Sequence, residues 1–418
     1  MVATVTDEQF AARELVRDWA RNTSSGPGGT TAIRAIEQGN PDAWRPVFTR
    51  LADLGLFGVA ISEDSGGAGG SIEDLCAMVE EAAKALVPGP IATTALATLL
   101  VTDPELLSAL ASGERFAGVA LEGDVQFDSD SSRVSGTVDF VLGASNTVRG
   151  GVLLLPSDDK WVLVDTGSDG VRVEPLQAAD FSRPLARVVL TSAPVTPIAE
   201  SRERVEELAA TLLAAEAAGI TRWCLDTAVE YAKVREQFGK PIGSFQAIKH
   251  LCAEMLCRAE QAEVAAADAA RAASDSGDAE QFSIAAALGA SVGIAAAKAN
   301  VKDCIQVLGG IGCTWEHDAH LYLRRAHAIG RFLGGAERWL RRITALTQAG
   351  VRRRLNIDLT EVESQRTEVA AAVAEVAALS VEKRQVALAE AGLQAPHWPK
   401  PYGRAASPAE QLLIDQEL

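Results

Sequence analysis

The chain has 418 residues, of which 48% are hydrophobic, and it carries a formal net charge of −17. This length and composition predict two or three folded units with enough apolar material for a core, and they exclude a globally disordered protein. The negative charge argues against nucleic acid or an anionic membrane as a partner, because phosphate-binding surfaces need an excess of lysine and arginine.

The N-terminus and the cysteines indicate the compartment. The first ten residues include acidic side chains and no apolar core, so no signal peptide is expected. We expect no transmembrane span either, because charges or glycines interrupt the longest apolar stretches. The six cysteines lack CxxC spacing and fall mostly in apolar helical sequence, which predicts buried thiols in a reducing compartment. The protein is therefore expected to be cytoplasmic.

Residues 1–114 have the pattern of an N-terminal helical domain. Trp44, Phe48 and Leu51 share one helical face, the glycine-rich segment 64–70 predicts a loop, and Ser71 begins a capping-box sequence that starts the next helix. From residue 115 to residue 197 the pattern changes to six short β-branched runs separated by turn residues, at 116–121, 134–141, 152–155, 161–164, 171–173 and 186–190. These runs predict a small antiparallel β domain, which ends at a proline-containing linker.

Residues 198–352 return to a helical pattern. Alanine-rich segments with an apolar stripe cover roughly residues 203–236, 244–274, 280–308 and 318–349. Four long helices with short connections predict a four-helix bundle. The chain is therefore predicted to be mainly α, with a small β domain between two helical domains.

Residues 353–418 carry an internal repeat. The segment 388–393 (Leu-Ala-Glu-Ala-Gly-Leu) echoes the segment 51–56 (Leu-Ala-Asp-Leu-Gly-Leu), and Glu410 stands at the same offset from Glu73. This similarity predicts a linker and the truncated start of a second module like the N-terminal helical one. The alternative is a C-terminal extension that folds on the bundle.

The most informative segment lies between the first two bundle helices. It runs Arg235-Glu-Gln-Phe-Gly-Lys-Pro-Ile-Gly-Ser-Phe-Gln246, and it predicts the end of one helix, a turn and the start of the next helix. The corner brings together an arginine, two amides and an aromatic ring at Arg235, Gln237, Phe238 and Gln246. Such groups bind a phosphate diester and a flat heterocycle.

A second motif follows in the third bundle helix. Gln306 precedes the glycine-rich stretch Gly309-Gly-Ile-Gly312 by three residues, so its amide lies at the same helix end as the glycines. Glycine allows a ligand to approach the backbone closely, at Gly309 and Gly310 in particular. Glycines also end helices, so this motif alone is weak.

Both motifs, at this spacing, closely resemble those of the acyl-CoA dehydrogenase flavoproteins, as does the order of helical, β and bundle domains. The resemblance implies FAD-dependent oxidation of the α,β bond of an acyl-CoA thioester, with electrons passed to an electron-transfer acceptor. It also implies that these residues contact FAD held by a neighbouring subunit: Arg235 at the pyrophosphate, Gln237 and Phe238 along the dinucleotide, Gln246 at the corner, and Gln306, Gly309 and Gly310 near the adenine.

The glutamate that serves as catalytic base in this family is missing from both of its usual positions. Alignment to the family places Leu333 at the usual position and Ala209 at the alternative one. Glu206 lies near Ala209, but a displacement of one residue turns a helical side chain by about 100°. We therefore assign no catalytic residue to this chain, and Glu206 stays open as a displaced base.

Two further departures concern contacts to the subunit's own FAD. Gly334-Gly335 replaces the family's Gly-Thr pair, and Glu337 replaces a glutamine. The segment 120–124 (Ala-Leu-Glu-Gly-Asp) stands where the family has the strand that frames the flavin. This pattern resembles the non-catalytic half of heteromeric or fused acyl-CoA dehydrogenases of actinobacteria that act on steroid CoA thioesters. The alternatives are a self-sufficient homomeric enzyme that uses Glu206 and a structural subunit without flavin.

Histidines near the second motif suggest a different chemistry. His317 and His320 can share a helical face beside Glu316 and Asp318, as metal ligands do. No further ligand follows in a clear register, and the family has a polar loop here. We therefore predict no metal site.

Overall fold

The computed structural model describes residues 7–22, 29–123, 125–148, 150–157, 160–275, 277–354 and 359–418. The chain forms two compact units, one up to residue 353 and one from residue 354 onward. The predicted absence of a signal peptide depends partly on residues 1–6, which lie outside the described residues, as does Asp124.

The larger unit begins with six helices: α1 (Asp7–Asn22), α2 (Gly29–Glu37), α3 (Trp44–Asp53), α4 (Ile72–Lys84), α5 (Ile91–Thr98) and α6 (Pro104–Ala111). The predicted capping box is present, because the Ser71 hydroxyl accepts from the Asp74 N–H and the Asp74 carboxylate accepts from the Ser71 N–H. It fixes the start of α4, whose buried face packs against α1 and the bundle.

An eight-stranded sheet follows. Its strands are β1 (Phe116–Val119), β2 (Gln126–Asp128), β3 (Arg133–Leu142), β4 (Gly151–Ser157), β5 (Lys160–Asp165), β6 (Val171–Pro175), β7 (Leu185–Pro194) and β8 (Thr196–Ile198). The order is β6-β7-β3-β1-β4-β5-β8, with β2 paired to β3.

The sheet is mixed, which corrects the prediction of an antiparallel domain. All its pairs are antiparallel except β1 and β4, which run parallel with Phe116 opposite Gly151. Two strands lie between β1 and β4 in the chain, so β4 returns to β1 in the same direction. The sequence also missed β2 and β8, because three-residue strands at the edge of a sheet are too short for a clear alternation of apolar residues.

The bundle consists of α7 (Arg202–Val234), α8 (Gln246–Ser274), α9 (Ala279–Leu308), α10 (Ala319–Phe332) and α11 (Ala336–Gln348). The single helix predicted over 318–349 is therefore wrong. It is two helices, separated at Gly334 and Gly335, whose φ angles of 74° and 84° are incompatible with a right-handed helix.

The directions of the bundle helices place both sequence motifs at one end. The helices α7 and α9 run parallel, because Ser283 donates to Glu207 and Asn300 donates to the Thr221 carbonyl. The helix α8 runs antiparallel to α9, because Asn300 also contacts Arg258, whereas Gly289 lies against Ala265. The end of α7, the start of α8 and the end of α9 therefore meet at the same end of the bundle.

Two bundle helices, α7 and the segment 279–313 that contains α9, are long and apolar enough to cross a membrane by length and composition. This differs from the expectation that no such stretch exists. In the fold, 89% and 72% of the apolar windows of these helices are buried inside the protein. They are the core helices of the bundle, and this burial explains their composition.

The smaller unit contains α12 (Arg366–Ala377), α13 (Val381–Glu390) and α14 (Pro408–Glu417) around a small apolar core that includes Leu393, Leu413 and Ile414. The helices α12 and α13 begin 337 residues after α2 and α3, at the offset of the sequence repeat. The helix α14 begins with a capping box of Ser407 and Glu410, as α4 does with Ser71 and Asp74.

The cysteines are only partly buried. Cys76, Cys224 and Cys304 lie in the core, whereas Cys257 and Cys313 are exposed. All six are free thiols. The exposed pair corrects the expectation of buried thiols, because each lies on a helix or turn face that leaves the bundle core.

Candidate FAD-binding corner and base positions

The predicted turn between α7 and α8 is a β-hairpin that projects from the bundle. Strand β9 (Glu236–Gln237) pairs with strand β10 (Lys240–Pro241), and Phe238 and Gly239 between them both have positive φ angles of 55° and 75°. Two central residues with positive φ are typical of a type I′ turn, a conformation that costs a phenylalanine free energy. Phe238 is 91% exposed at this turn.

The backbone holds this corner tightly while its predicted ligand groups stay exposed. The Arg235 N–H donates to the Tyr231 carbonyl at 2.9 Å, and the Ile242 N–H donates to the Arg235 carbonyl at 2.7 Å. The side chains of Arg235, Gln237 and Gln246 are exposed. A rigid backbone with exposed polar groups is suited to bind a ligand or partner from outside the chain.

Two contacts of the Phe245 ring and one contact of His250 organise the rest of the corner. Phe245 lies edge-on to Phe238, with ring centroids 6.0 Å apart, and the Lys240 ammonium lies 4.4 Å from the Phe245 centroid. Gln246 starts α8, and its amide nitrogen lies 2.9 Å from His250 Nε2. The sequence did not single out Lys240 or His250, although both stand within or directly after the motif.

The glycine motif at the end of α9 also faces open space. Gln306, Gly309 and Gly310 are exposed. A Cβ added at Gly310 would meet no atom within 4 Å among the described residues, and Gly310 does not have a positive φ. Neither packing nor backbone conformation within the chain therefore requires glycine at position 310.

The two positions predicted for the family's base, Leu333 and Ala209, are apolar and buried. Leu333 is fully buried at the end of α10, and its carbonyl accepts a hydrogen bond from Trp339 Nε1 at 3.0 Å. Ala209 lines a small apolar pocket together with Phe332, Leu213, Thr93 and three further residues, Ala92, Leu96 and Val119. No carboxylate is among these lining residues.

The carboxylates near Ala209 are engaged elsewhere. Glu206 forms ion pairs with Arg338 and, at 3.4 Å, with Arg202. Burial raises the pKa of Glu207, although hydrogen bonds from Ser283 and Arg342 oppose that rise.

Glu216 belongs to a fully buried ion network that the sequence analysis missed. Arg183 contacts Asp180 at 3.1 Å and Glu216 at 2.9 Å, and Arg325 contacts Asp180 at 3.0 Å and Ser182 at 2.6 Å. Burial by itself raises the pKa of Asp180, but the two arginines outweigh it and hold the pKa below its usual value. The sequence signal that could have indicated this network was Arg325, a charged residue on the apolar face of α10.

Glu122, in the segment that by resemblance would frame the flavin, forms an ion pair with a residue of α10. Glu122 pairs with Arg331 at 3.4 Å, and the Arg331 guanidinium lies 5.4 Å from the centroid of the exposed Phe140 ring. Glu337 pairs with Arg341 at 3.1 Å on the exposed face of α11. The contacts of Arg331 with Glu122 and Phe140 connect the β sheet and α10, whereas the Glu337 pair lies within α11.

The histidine-containing loop has structural partners. His317 Nδ1 accepts the Ala319 N–H at 3.1 Å, and Asp318 pairs with Arg34 at 3.0 Å. Within the described residues, no group of three His, Cys, Asp or Glu side chains is placed to hold a metal ion.

The chain matches two models of acyl-CoA dehydrogenase domains, the N-terminal domain over residues 6–110 and the C-terminal domain over residues 207–349. It is 75% identical over 422 residues to the acyl-CoA dehydrogenase FadE34 of Mycobacterium tuberculosis, covering all of this chain and 59% of that protein. It is 34% identical to the acyl-CoA dehydrogenase IpdE2 of the same organism, over 81% of this chain and 97% of IpdE2.

Solved structures of acyl-CoA dehydrogenases share the fold of this chain. A point variant of the steroid acyl-CoA dehydrogenase Tcur3481-Tcur3483 superposes with a TM-score of 0.73 and 26% identity, over 83% of this chain and 99% of that one. The ChsE4-ChsE5 complex of Mycobacterium tuberculosis superposes with a TM-score of 0.71 at 24% identity, over 82% of this chain and 98% of that one, which shows a shared fold.

Proposed function

The chain belongs to the acyl-CoA dehydrogenase family, and we propose that it is the non-catalytic half of an FAD-dependent enzyme of that family. In this proposal it supplies contacts to FAD bound mainly by a partner half, and the partner supplies the glutamate base. The observation that carries the proposal is a contrast. The groups that would contact a neighbour's FAD are exposed and rigidly held, whereas both base positions are buried and apolar.

The exposed corner suits the pyrophosphate and adenine of a dinucleotide. The Arg235 guanidinium would bind the phosphates through its planar fork, and Gln237, Phe238 and Gln246 would line the rest of the cofactor. Gln306 would lie at the adenine with Gly309 and Gly310. The absence of any intrachain need for glycine at position 310 supports a close approach there by a group from outside the chain.

The chemistry requires a base that this chain lacks. FAD, when bound, accepts the hydride that leaves the β-carbon of the acyl thioester. A carboxylate must take the α-proton at the same site, in a pocket that excludes water. The pocket beside Ala209 and Phe332 is apolar and small, so the chain offers no proton acceptor there. We therefore assign the proton transfer to the partner half.

Departures from the family in the segments that would contact the chain's own flavin support one FAD per pair of halves. Glu122, which pairs with Arg331 beside Phe140, lies in the segment that by resemblance would frame a flavin ring. The Gly334-Gly335 break also removes the threonine hydroxyl that the family offers to the flavin.

The partner half is proposed to be continuous with this chain. The chain spans 59% of the length of FadE34, its relative at 75% identity. The helices α12, α13 and α14 repeat the positions and the capping box of α2, α3 and α4. We infer that residues 353–418 begin a second dehydrogenase module, and that this module carries the base.

The proposed substrate is the CoA thioester of a steroid side chain. The steroid enzyme Tcur3481-Tcur3483 supports this class, being 26% identical to this chain. Straight or branched fatty acyl groups are the alternative. Electrons would pass from FAD to an electron-transfer acceptor, and the reaction would take place in the cytoplasm.

Flavin content and acyl-CoA oxidation test the proposal directly. Residues 1–418 alone should hold little FAD and show no turnover, and both should appear when the downstream half is added or fused. In that complex Arg235→Ala should weaken FAD binding by about 10- to 150-fold, because charge-assisted hydrogen bonds contribute about 1.5–3 kcal/mol. Arg50→Ala is the matched control, since Arg50 is an exposed arginine on α3.

Each alternative function predicts a different result. A self-sufficient enzyme would turn over acyl-CoA as residues 1–418 alone, and Glu206→Gln would abolish that turnover. The ion pairs of Glu206 with Arg338 and Arg202 count against this role, because they occupy the carboxylate oxygens. A structural subunit without flavin contacts would leave the FAD content of the complex unchanged by Arg235→Ala.

A further inference from the structure

A second cleft lies in the larger unit, away from the corner and the base positions. It is formed by the α2–α3 connection, the β3–β4 connection, the β6–β7 connection and one side of α10, and it encloses about 480 Å³. This volume is in the range of sites for small organic ligands. None of its lining residues belongs to the FAD corner, the glycine motif or the apolar pocket beside Ala209.

Arg183 lines this cleft but is already neutralised. It is 4% exposed, and its Nε and Nη1 contact Asp180 and Glu216 at 3.1 and 2.9 Å. The charge that an anion in the cleft would meet therefore comes from another residue.

A further guanidinium carries a charge that no carboxylate of the described chain neutralises. Arg324 donates to the Ala179 carbonyl at 2.9 Å and packs 5.3 Å from the Phe181 centroid, but it has no carboxylate within 4.0 Å in the parts described. Glu37 also lines the cleft, but it pairs with Arg34 at 3.6 Å. In a chain with a net charge of −17, a cation left free in a cleft favours an anionic ligand.

The other walls suit an apolar ring. Phe181, Ile36, Leu176 and two prolines line one part of the cleft, and Ser145 and Asn146 line the β3–β4 side. We propose that this cleft binds a small organic anion, a carboxylate on an aromatic or alicyclic body. The carboxylate lies toward Arg324, and the ring lies against Phe181 and the aliphatic side chains. This site stands independently of the proposed flavin chemistry.

Calorimetric titration of the 418-residue chain with benzoate tests the site. We expect saturable binding with a Kd of about 1 mM or lower, which corresponds to a binding free energy of about −4 kcal/mol. Benzamide, a neutral isostere, should bind at least about tenfold more weakly, since it cannot form the charge-assisted contacts. Inorganic phosphate should also bind more weakly than benzoate, because it has no apolar body.

Two variants at exposed or lining positions locate the binding. Arg324→Gln removes the free cation, and Asn146→Asp adds a negative charge at the exposed rim; each should weaken benzoate binding about tenfold. The controls are Arg50→Gln and Gln126→Glu, which make the same charge changes at exposed positions outside the cleft. Thermal unfolding of each variant verifies that the fold is retained.

The proposal is overturned by any of three results. Benzoate could show no saturable binding, which would mean that the cleft is not a site for organic anions. Benzoate could bind equally to the parent chain and to both cleft variants, which would place it elsewhere. Phosphate could bind as tightly as benzoate, which would refute the organic body. The FAD measurements are unaffected by all three outcomes.

Discussion

Gly310 offers a sharp test of the exposed face at the end of α9. A methyl group at this position meets no atom within 4 Å among the described residues, and the backbone has no positive φ that alanine would resist. Gly310→Ala should therefore leave the free energy of unfolding within about 0.5 kcal/mol of the parent value. If the adenine of a neighbour's FAD lies in contact with Gly310, the same methyl group has to be accommodated at the interface.

The expected loss of affinity follows from overpacking. An added methyl in a close-packed contact costs about 1–3 kcal/mol, which is about 5- to 150-fold in the Kd of FAD. FAD titration of the assembled two-half enzyme measures it, and urea unfolding of residues 1–418 measures the stability. Gly58→Ala is the control, because a methyl there meets only ordinary contacts at 3.8 and 3.9 Å. An unchanged Kd in Gly310→Ala would refute the close approach.

Three further predictions concern stability and the base position. Arg325→Met should destabilise the larger unit by about 3–5 kcal/mol in urea unfolding, because it leaves Asp180 and Glu216 with one buried cation fewer; a change below about 1 kcal/mol would contradict this. Burial raises the pKa of Glu80 to about 7, above its unfolded value of about 4.3, so its contribution to stability is full below about pH 4.3 and falls as the pH rises to about 7. Glu80→Gln also removes the ion pair with Arg13, but it should abolish the part of the pH dependence that Glu80 contributes between about pH 5 and pH 8, and stability curves parallel to those of the parent would exclude it. Leu333→Glu should cost about 3 kcal/mol or more by burying an unpaired carboxylate, and it should not create acyl-CoA oxidation in the isolated chain.

Periodicity and motif spacing predicted most of the fold. The long helices α7, α8 and α9 were found within two residues of their observed ends, because their apolar stripes extend over many turns. The six longer strands were also found. The sequence missed the short strands β2 and β8. It also missed the break between α10 and α11, where two adjacent glycines interrupt an otherwise helical pattern.

The candidate site divides in the same way. Arg235, Gln306 and the glycines stand in contiguous motifs, so the sequence singles them out without knowledge of contacts. The ion network of Asp180, Arg183 and Arg325 joins residues up to 145 positions apart, and no local pattern links them. The pairing of Glu122 with Arg331 also depends on how the sheet packs on α10, which the sequence did not indicate.

The sequence by itself determined the family and the order of helical and β segments, and it predicted that Leu333 and Ala209 stand at the base positions, because these depend on residue identity and local spacing. The tertiary structure decided which side chains are exposed and which are buried or paired with other charges. It leaves Phe238 and Gly310 open to a partner, engages Glu206 and Glu216 in ion pairs, and brings Arg183 and Arg324 to one cleft. Burial and charge pairing are set by residues distant in the chain, so only the packed fold determines them.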